Sequence, residues 1–186
     1  MAAFVMCRKR TRLNVFLYYF VLCGLFFPVN YVTLVRVLST LHLNDTRQGI
    51  IMVFTSAMIP FCVFTIRNFV VSVPVELDEA AMVDGANQFQ VFYKIIIPLA
   101  MPQLAVIFLF SFIATYSEYV ITSIFLQTPG KMTLALGLQS FISDQFAAHW
   151  TLFSAAAVIS SLPIMIVFMC LQRFIQSGLV AGGVKG

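Results

Sequence analysis

Four of the chain's seven carboxylates, Glu76, Asp78, Glu79 and Asp84, lie in the single stretch PVELDEAAMVDGANQFQVFYKIIIPLAMP, residues 74–102. Such a cluster could recognise a cationic surface, bind a metal or serve acid–base chemistry. The rest of the chain supplies little for the last two. Its histidines, His42 and His149, stand apart in polar stretches, and the cysteines at 7, 23, 62 and 170 show no C-x-x-C spacing. Three of the four cysteines sit inside apolar runs, where they act as small hydrophobes. No nucleophile is paired with a base, so neither an enzyme nor a metal site nor a disulfide is expected. That leaves the carboxylates either recognising another surface or simply keeping a loop in water.

The elements that must hold this stretch are apolar. Of the 186 residues, 61% are hydrophobic and 10% charged, with a mean hydropathy of +0.97. That balance belongs to a protein dissolved in lipid. The pattern predicts an all-α integral membrane protein, one domain over 1–186, with spans at about 13–35, 49–66, 99–126 and 151–172 and a polar loop at 72–98. Pro28 and Asn30 end or kink the first span, so 31–43 is expected along the outer interface. Pro60 lies within the second span, and Pro163 is expected to break the fourth. A net charge of +4 from scattered basic residues argues against nucleic acid.

Lysine and arginine flanking a span tend to stay in the cytoplasm. Placing the N-terminus inside puts Arg8, Lys9, Arg10, Arg12, Arg67, Lys94, Arg173 and Lys185 there, against Arg36, Arg47 and Lys131 outside. Both termini and the acidic loop are therefore expected in the cytoplasm. The first twelve residues lack the apolar core of a signal peptide.

Punctuation divides the loop into helix, turn and helix. Pro74 suits a first helical turn, with Glu76, Asp78 and Glu79 at the positive end of the helix dipole. The helix is expected to reach about Asp84. Gly85 can close it in the left-handed conformation, Asn87 can cap the next helix, and Pro98 marks where the chain turns into the membrane. Ala80 and Ala81 offer a face of small side chains for close approach by another protein. From these features alone the loop reads either as a docking element or as a solvated amphipathic loop.

The loop resembles one found in inner-membrane permease subunits of binding-protein-dependent ABC importers. Their pattern runs E-A-A, three residues, G, nine residues, I-x-L-P. Here it reads Glu79-Ala80-Ala81, Gly85 and Ile95-Ile96-Ile97-Pro98, with Ile97 in place of the leucine. The resemblance continues through ATYSEYV and KMTLALGLQSF to the terminal LQRFIQSGLVAGGVKG, which is similar to the ends of maltose and oligosaccharide permeases. It covers the chain from about residue 13 onward. Such permeases usually have six spans, and the four here begin near the third, as in an N-terminally truncated chain.

The resemblance implies a non-catalytic, multi-pass subunit of a bacterial or archaeal cytoplasmic membrane. It would form half of a carbohydrate translocation pathway beside a second permease subunit. The expected partners are a cytosolic ATPase subunit, which binds the ATP, an extracytoplasmic sugar-binding protein, the sugar and the lipid bilayer; the chain itself needs no cofactor. Glu76, Asp78, Glu79, Ala80, Ala81, Asp84, Gly85 and Pro98 would form the ATPase-coupling element, with Glu79 meeting a cationic residue. Glu118, flanked by Tyr116 and Tyr119, is the candidate for the pathway, since an ionisable group within an apolar segment needs water, a cavity or a partner. Alternatively, the helix ends before Glu118, which then reaches the headgroups, and the tyrosines are interfacial. Residues 140–150 are the candidate contact for the binding protein or else an ordinary loop, and the tail 182–186 lies against the ATPase or frays. Competing readings are an amino-acid or peptide permease of the same family and a stand-alone channel or secondary transporter, which leaves the acidic loop unexplained.

Overall fold

The computed structural model describes residues 1–9, 11–27, 29–143 and 150–183, and those residues are mainly helical, with no β-strand among them. Helices α1 (Ala2–Arg8), α2 (Arg12–Cys23) and α3 (Tyr31–Thr40) lead into the long α4 (Arg47–Ser72). The acidic loop holds α5 (Glu76–Val83) and α6 (Gln88–Val91), and α6 runs through a π-helical turn at Phe92–Ile96 into α7 (Ile97–Leu99). Helices α8 (Met101–Tyr116), α9 (Val120–Phe125), α10 (Leu134–Ser143) and α11 (Trp150–Gly183) complete the described chain.

Among the described residues, Arg47–Ser72 and Trp150–Gln176 are long and apolar enough to cross a membrane, and the bent pair Gln88–Leu99 and Met101–Tyr116 counts as a third if taken as one span. The helices depart from the expected spans in physically intelligible ways. Residues 13–35 do not form one helix: α2 stops at Cys23, and Asn30 begins α3 by accepting the Thr33 N–H on its side chain at 3.1 Å. Pro163 does not break the fourth helix, because α11 continues through it. Where lipid offers no alternative partner for backbone groups, losing one helical hydrogen bond costs less than unravelling several. The hydroxyls of Ser160 and Ser161, one turn earlier, bond the carbonyls of Ala156 and Val158.

Two units can be distinguished: Met1–Phe27, Ala57–Phe108 and Leu171–Gly186 form one, and Pro28–Ser56 with Leu109–Cys170 the other. The first is centred on Phe4, Val70, Val73, Val91 and Ile96. Val91 and Ile96 are five residues apart yet both at most 2% exposed, a spacing matched by the π turn, in which the Ile97 N–H reaches the Phe92 carbonyl. Pro98 lacks an N–H for the Lys94 carbonyl and its ring crowds that group. A widened turn immediately before it relieves this conflict.

The second unit is centred on Leu38, Ile50, Val53 and Phe125. Its entry into α4 is a tight turn in which the Thr46 hydroxyl donates to the Leu43 carbonyl at 2.7 Å and accepts the Gly49 N–H at 3.0 Å. A Cβ on Gly49 would lie 2.2 Å from that same carbonyl oxygen, so backbone has to move to admit any side chain. Gly49→Ala should therefore destabilise the protein by about 1–3 kcal/mol, the usual range for overpacking. Gly137, whose Cβ would meet nothing within 4 Å, provides the control: Gly137→Ala should be neutral or stabilising in thermal unfolding of the detergent-solubilised chain.

Candidate functional site

Helix α5 carries the acidic cluster, and helical geometry sorts it into two faces. Residues 76, 79, 80 and 83 share one side, while 78 and 81 lie about 100° or more away. Glu76, Glu79, Ala80 and Asp84 are exposed, and Val83 is 87% exposed. Asp78 is buried, and Ala81 packs against the core of the first unit. The sequence reading placed Asp78 with its neighbours in one coupling set; the structure turns it inward.

A carboxylate on the buried side of a helix requires compensation. Arg8, at the end of α1, supplies it: Arg8 Nε lies 2.6 Å from Asp78 Oδ2, with side-chain exposures of 15% and 8%. Arg8 Nη2 also donates to the Val73 carbonyl at 3.1 Å, just ahead of α5. One guanidinium thus holds both the helix and the strand of chain leading into it. The contact is a close ion pair without hydrogen-bond alignment at Nε, and Asp78 Oδ1 has no donor. A cavity of about 180 Å³ opens here, with Arg8, Lys9, Asp78, Glu79 and Gln88 among its lining residues. Sequence reasoning read Arg8 only as a topology signal.

The turn after α5 follows the sequence reading closely. Gly85 has φ +87°, the Gly85 N–H donates to the Met82 carbonyl at 3.1 Å, and the Ala86 N–H reaches the Ala81 carbonyl at 2.9 Å. This is the paired closure of a glycine-terminated helix. Asn87 and Gln90 then exchange side-chain and backbone hydrogen bonds, both at 2.9 Å, in a reciprocal capping box. Phe89 and Tyr93, 63% and 64% exposed, stack at 6.4 Å on the following helix. Pro98 lies inside α7 rather than at the change of direction. The 70° bend falls between Leu99 and Met101, where the Ala100 N–H closes the helix onto Ile96 and Ile97.

In the second unit Glu118 sits in a break between helices and does not interrupt a continuous span. Its carboxylate accepts the Ile121 N–H on both oxygens, at 3.1 and 3.0 Å, and the Thr122 N–H at 3.3 Å. It caps α9, where negative charge meets the positive end of the helix. Tyr116 and Tyr119 instead line an open cavity of about 520 Å³ with Ser117, Gln139, Phe153 and Ser161 among its walls; Glu118 is not one of them. The Tyr116 hydroxyl donates to the Ser160 carbonyl at 2.9 Å, which fixes the ring against the wall. Aromatic faces among hydroxyl and amide groups suit a polyhydroxylated solute.

A further constellation in this unit escaped sequence reasoning. Asp45, with φ +51°, accepts the Gln127 and Thr128 N–H groups at 3.0 and 3.2 Å and the Thr128 hydroxyl at 2.5 Å. Lys131 Nζ contacts its carboxylate at 3.0 Å and its carbonyl as well. The Thr128 hydroxyl and Lys131 hold the Asp45 carboxyl far below the usual carboxylate range. A depressed folded-state value means the clamp contributes above the ordinary carboxylate pKa and is lost only as pH falls through the folded value, so it is intact at neutral pH. Positive φ is most tolerable for Asn, Asp and Gly, a weak signal at best. Of the expected binding-protein contact 140–150, residues 144–149 lie outside the described residues, as do 184–186 of the tail.

Comparison with known proteins places these features in context. Residues 1–180 match the family described as binding-protein-dependent transport system inner membrane component. The maltose/maltodextrin transport system permease protein MalG of Escherichia coli strain K12 is 42% identical over 142 residues, covering 76% of this chain and 47% of that protein. The maltodextrin transport system permease protein MdxG of Bacillus subtilis strain 168 is 40% identical over 134 residues, 72% of this chain and 48% of that protein. The chain thus spans about half the length of these relatives. Among solved structures, the crystal structure of a bacterial ABC transporter involved in the import of the acidic polysaccharide alginate contains a similar chain. Its TM-score is 0.80 at 27% identity, over 92% of this chain and 65% of that one.

The buried pair and the glycine turn each generate a test. Arg8→Gln and Asp78→Asn should each cost about 3–5 kcal/mol, the penalty for stranding one member of a buried pair. Arg8→Met combined with Asp78→Leu should cost clearly less than the two single apolar changes added together. Additive losses in a double-mutant cycle read by denaturant unfolding would show that the two residues do not act as a pair. At Gly85, a Cβ meets nothing within 4 Å, so only backbone conformation is at stake. Alanine should cost about 1–2 kcal/mol and valine more, because branching worsens the left-handed conformation; equal unfolding midpoints would contradict the turn.

Proposed function

The chain belongs to the binding-protein-dependent transport system inner membrane components, and from that premise we propose that it forms half of the translocation pathway of an ATP-driven carbohydrate importer. The observation that carries the proposal is the division of α5: Asp78 is held inside by Arg8, while Glu76, Glu79, Ala80 and Val83 are presented outward from a helix closed by Gly85. A solvated loop has no need of a buried ionic anchor or two capping motifs. A surface that must present fixed charges to another protein does.

In this proposal residues 72–98 lie on the cytoplasmic side and seat in a cleft of the ATPase subunit. Glu79, on the exposed face at its edge nearest Asp78, pairs with a cationic residue there, and the small side chain of Ala80 permits close approach. ATP-driven closure of the partner then moves α5 as a rigid body, and α4 directly and α8 by way of α6 and α7 carry the movement into the membrane. The chain has no catalytic role. A second permease subunit completes the pathway, and an extracytoplasmic binding protein delivers the solute.

The carbohydrate class is supported by the names of the relatives, which are maltose and maltodextrin permeases, and by the Tyr116–Tyr119 cavity with its hydroxyl and amide walls. Glu118 serves that cavity indirectly, by capping α9 next to both tyrosines. The Asp45 clamp fixes the polar turn at 127–131, on the side opposite the acidic loop in the topology given by the basic residues.

Glu79→Lys tests the coupling assignment. Facing like charges across an interface costs several kcal/mol, so the variant should either co-purify with the ATPase subunit at least about tenfold less well or hydrolyse ATP without uptake in proteoliposomes. Normal association together with normal uptake contradicts the role given to Glu79.

A further inference from the structure

Beside α2 and α4 lies a cavity of about 180 Å³ lined by Met6, Val15, Tyr18, Tyr19 and Arg67. No carboxylate is among its walls. The Arg67 guanidinium carbon stands 4.0 Å from the centroid of the Tyr18 ring, and Tyr18 is only 6% exposed. A ring at this distance attracts the cation through its π face but is no conventional acceptor for the five N–H donors of a guanidinium. Arg67 Nε is buried and meets no acceptor. A guanidinium with one donor withdrawn from water and unpaired is costly to hold without a counter-charge, and no carboxylate lines the cavity beside it, which points to an anion entering that cavity from outside the chain.

The position of Arg67 along α4 says where that acceptor comes from. Arg47 and Arg67 are 20 residues apart on one continuous helix, and at about 1.5 Å per residue this separates them by about 30 Å, the thickness of a bilayer's hydrocarbon core. The apolar residues between them occupy the core, so the cavity lies at the level of a headgroup layer. Tyr19, 62% exposed on its rim, is of the residue type that concentrates at that depth. The guanidinium fork matches the oxygens of a phosphate group.

We propose that this cavity is a phosphate-binding site, that Arg67 is its ligand with Tyr18 as the platform beneath it, and that the phosphate is that of a membrane phospholipid headgroup. The inference depends on membrane embedding and not on which solute is carried or whether the acidic loop docks an ATPase.

Native mass spectrometry of the purified chain in detergent tests it without any transport assay. The chain is titrated with phosphatidylglycerol, with diacylglycerol of the same acyl chains, and with inorganic phosphate. Phosphatidylglycerol should be retained, diacylglycerol should not, and Arg67→Gln should lower retention about tenfold, the change expected for loss of one charge-assisted bond. Arg67→Lys should fall between, because it keeps charge and loses the fork. Inorganic phosphate competing at concentrations similar to the lipid's would support the phosphate site and assign it to free phosphate. Equal retention of phosphatidylglycerol and diacylglycerol by the unaltered chain, or full retention by a folded Arg67→Gln variant, overturns the proposal; the lipid comparison decides even if that variant does not fold.

Discussion

The buried contact between Arg8 and Asp78 organises the polar half of this molecule. Without the guanidinium, a carboxylate that is 92% buried by its side chain has no counter-charge, and α5 would have to roll to return it to water. Such a rotation would carry Glu79 and Val83 toward the core and Ala81 out of it, exchanging the presented face for the packed one. The second bond of Arg8, to the Val73 carbonyl, fixes the chain at the point where α4 gives way to α5. Arg8 therefore acts on both the orientation of the acidic helix and its junction with α4. Buried ion pairs seldom add net stability, and their best-attested use is to specify one arrangement over others, which is the role we propose for this one.

Rigidity on the far side of α5 has a different origin. Gly85 and the Asn87–Gln90 box terminate one helix and start the next with the N–H groups of Gly85, Ala86, Asn87 and Gln90 all bonded, and the π turn then brings both Val91 and Ile96 into the core. The stretch that departs from regular α-helix is thus anchored in the core at both ends, by Val91 and Ile96. A loop assembled in this way can pass a push along the backbone, since it has no slack segment to absorb it. The Tyr116 side of the molecule follows the same logic, with Glu118 and Thr122 tying off the helix break beside the cavity.

Much of this was legible in the sequence, and the boundary of legibility is physical. Local punctuation reads well because its partners are a few residues apart: the end of α5 near Asp84, the left-handed Gly85 and the Asn87 cap stand where their chemistry predicts, although the helix starts at Glu76 and leaves Pro74 outside its first turn. Amphipathic sorting within α5 was also available in principle, since Asp78 falls on the opposite side from Glu76 and Glu79, but the eye groups consecutive acids. What was not legible is long-range. Nothing in the sequence pairs Arg8 with Asp78 across 70 residues or Asp45 with Thr128 and Lys131 across more than 80. Proline misled in both directions: Pro163 is accommodated within α11, and Pro98 sits before the bend at Ala100 without making it.

The central claim is that α5 presents its carboxylates from the cytoplasmic face of the membrane. Its most direct test is one-sided labelling of Glu79→Cys, in a chain whose four native cysteines have been replaced, with a thiol reagent that cannot cross the bilayer. The account predicts rapid labelling in inverted vesicles and none in intact cells until they are opened. Labelling from the outside of intact cells would put the acidic helix beyond reach of any cytosolic partner and contradict the account at its root.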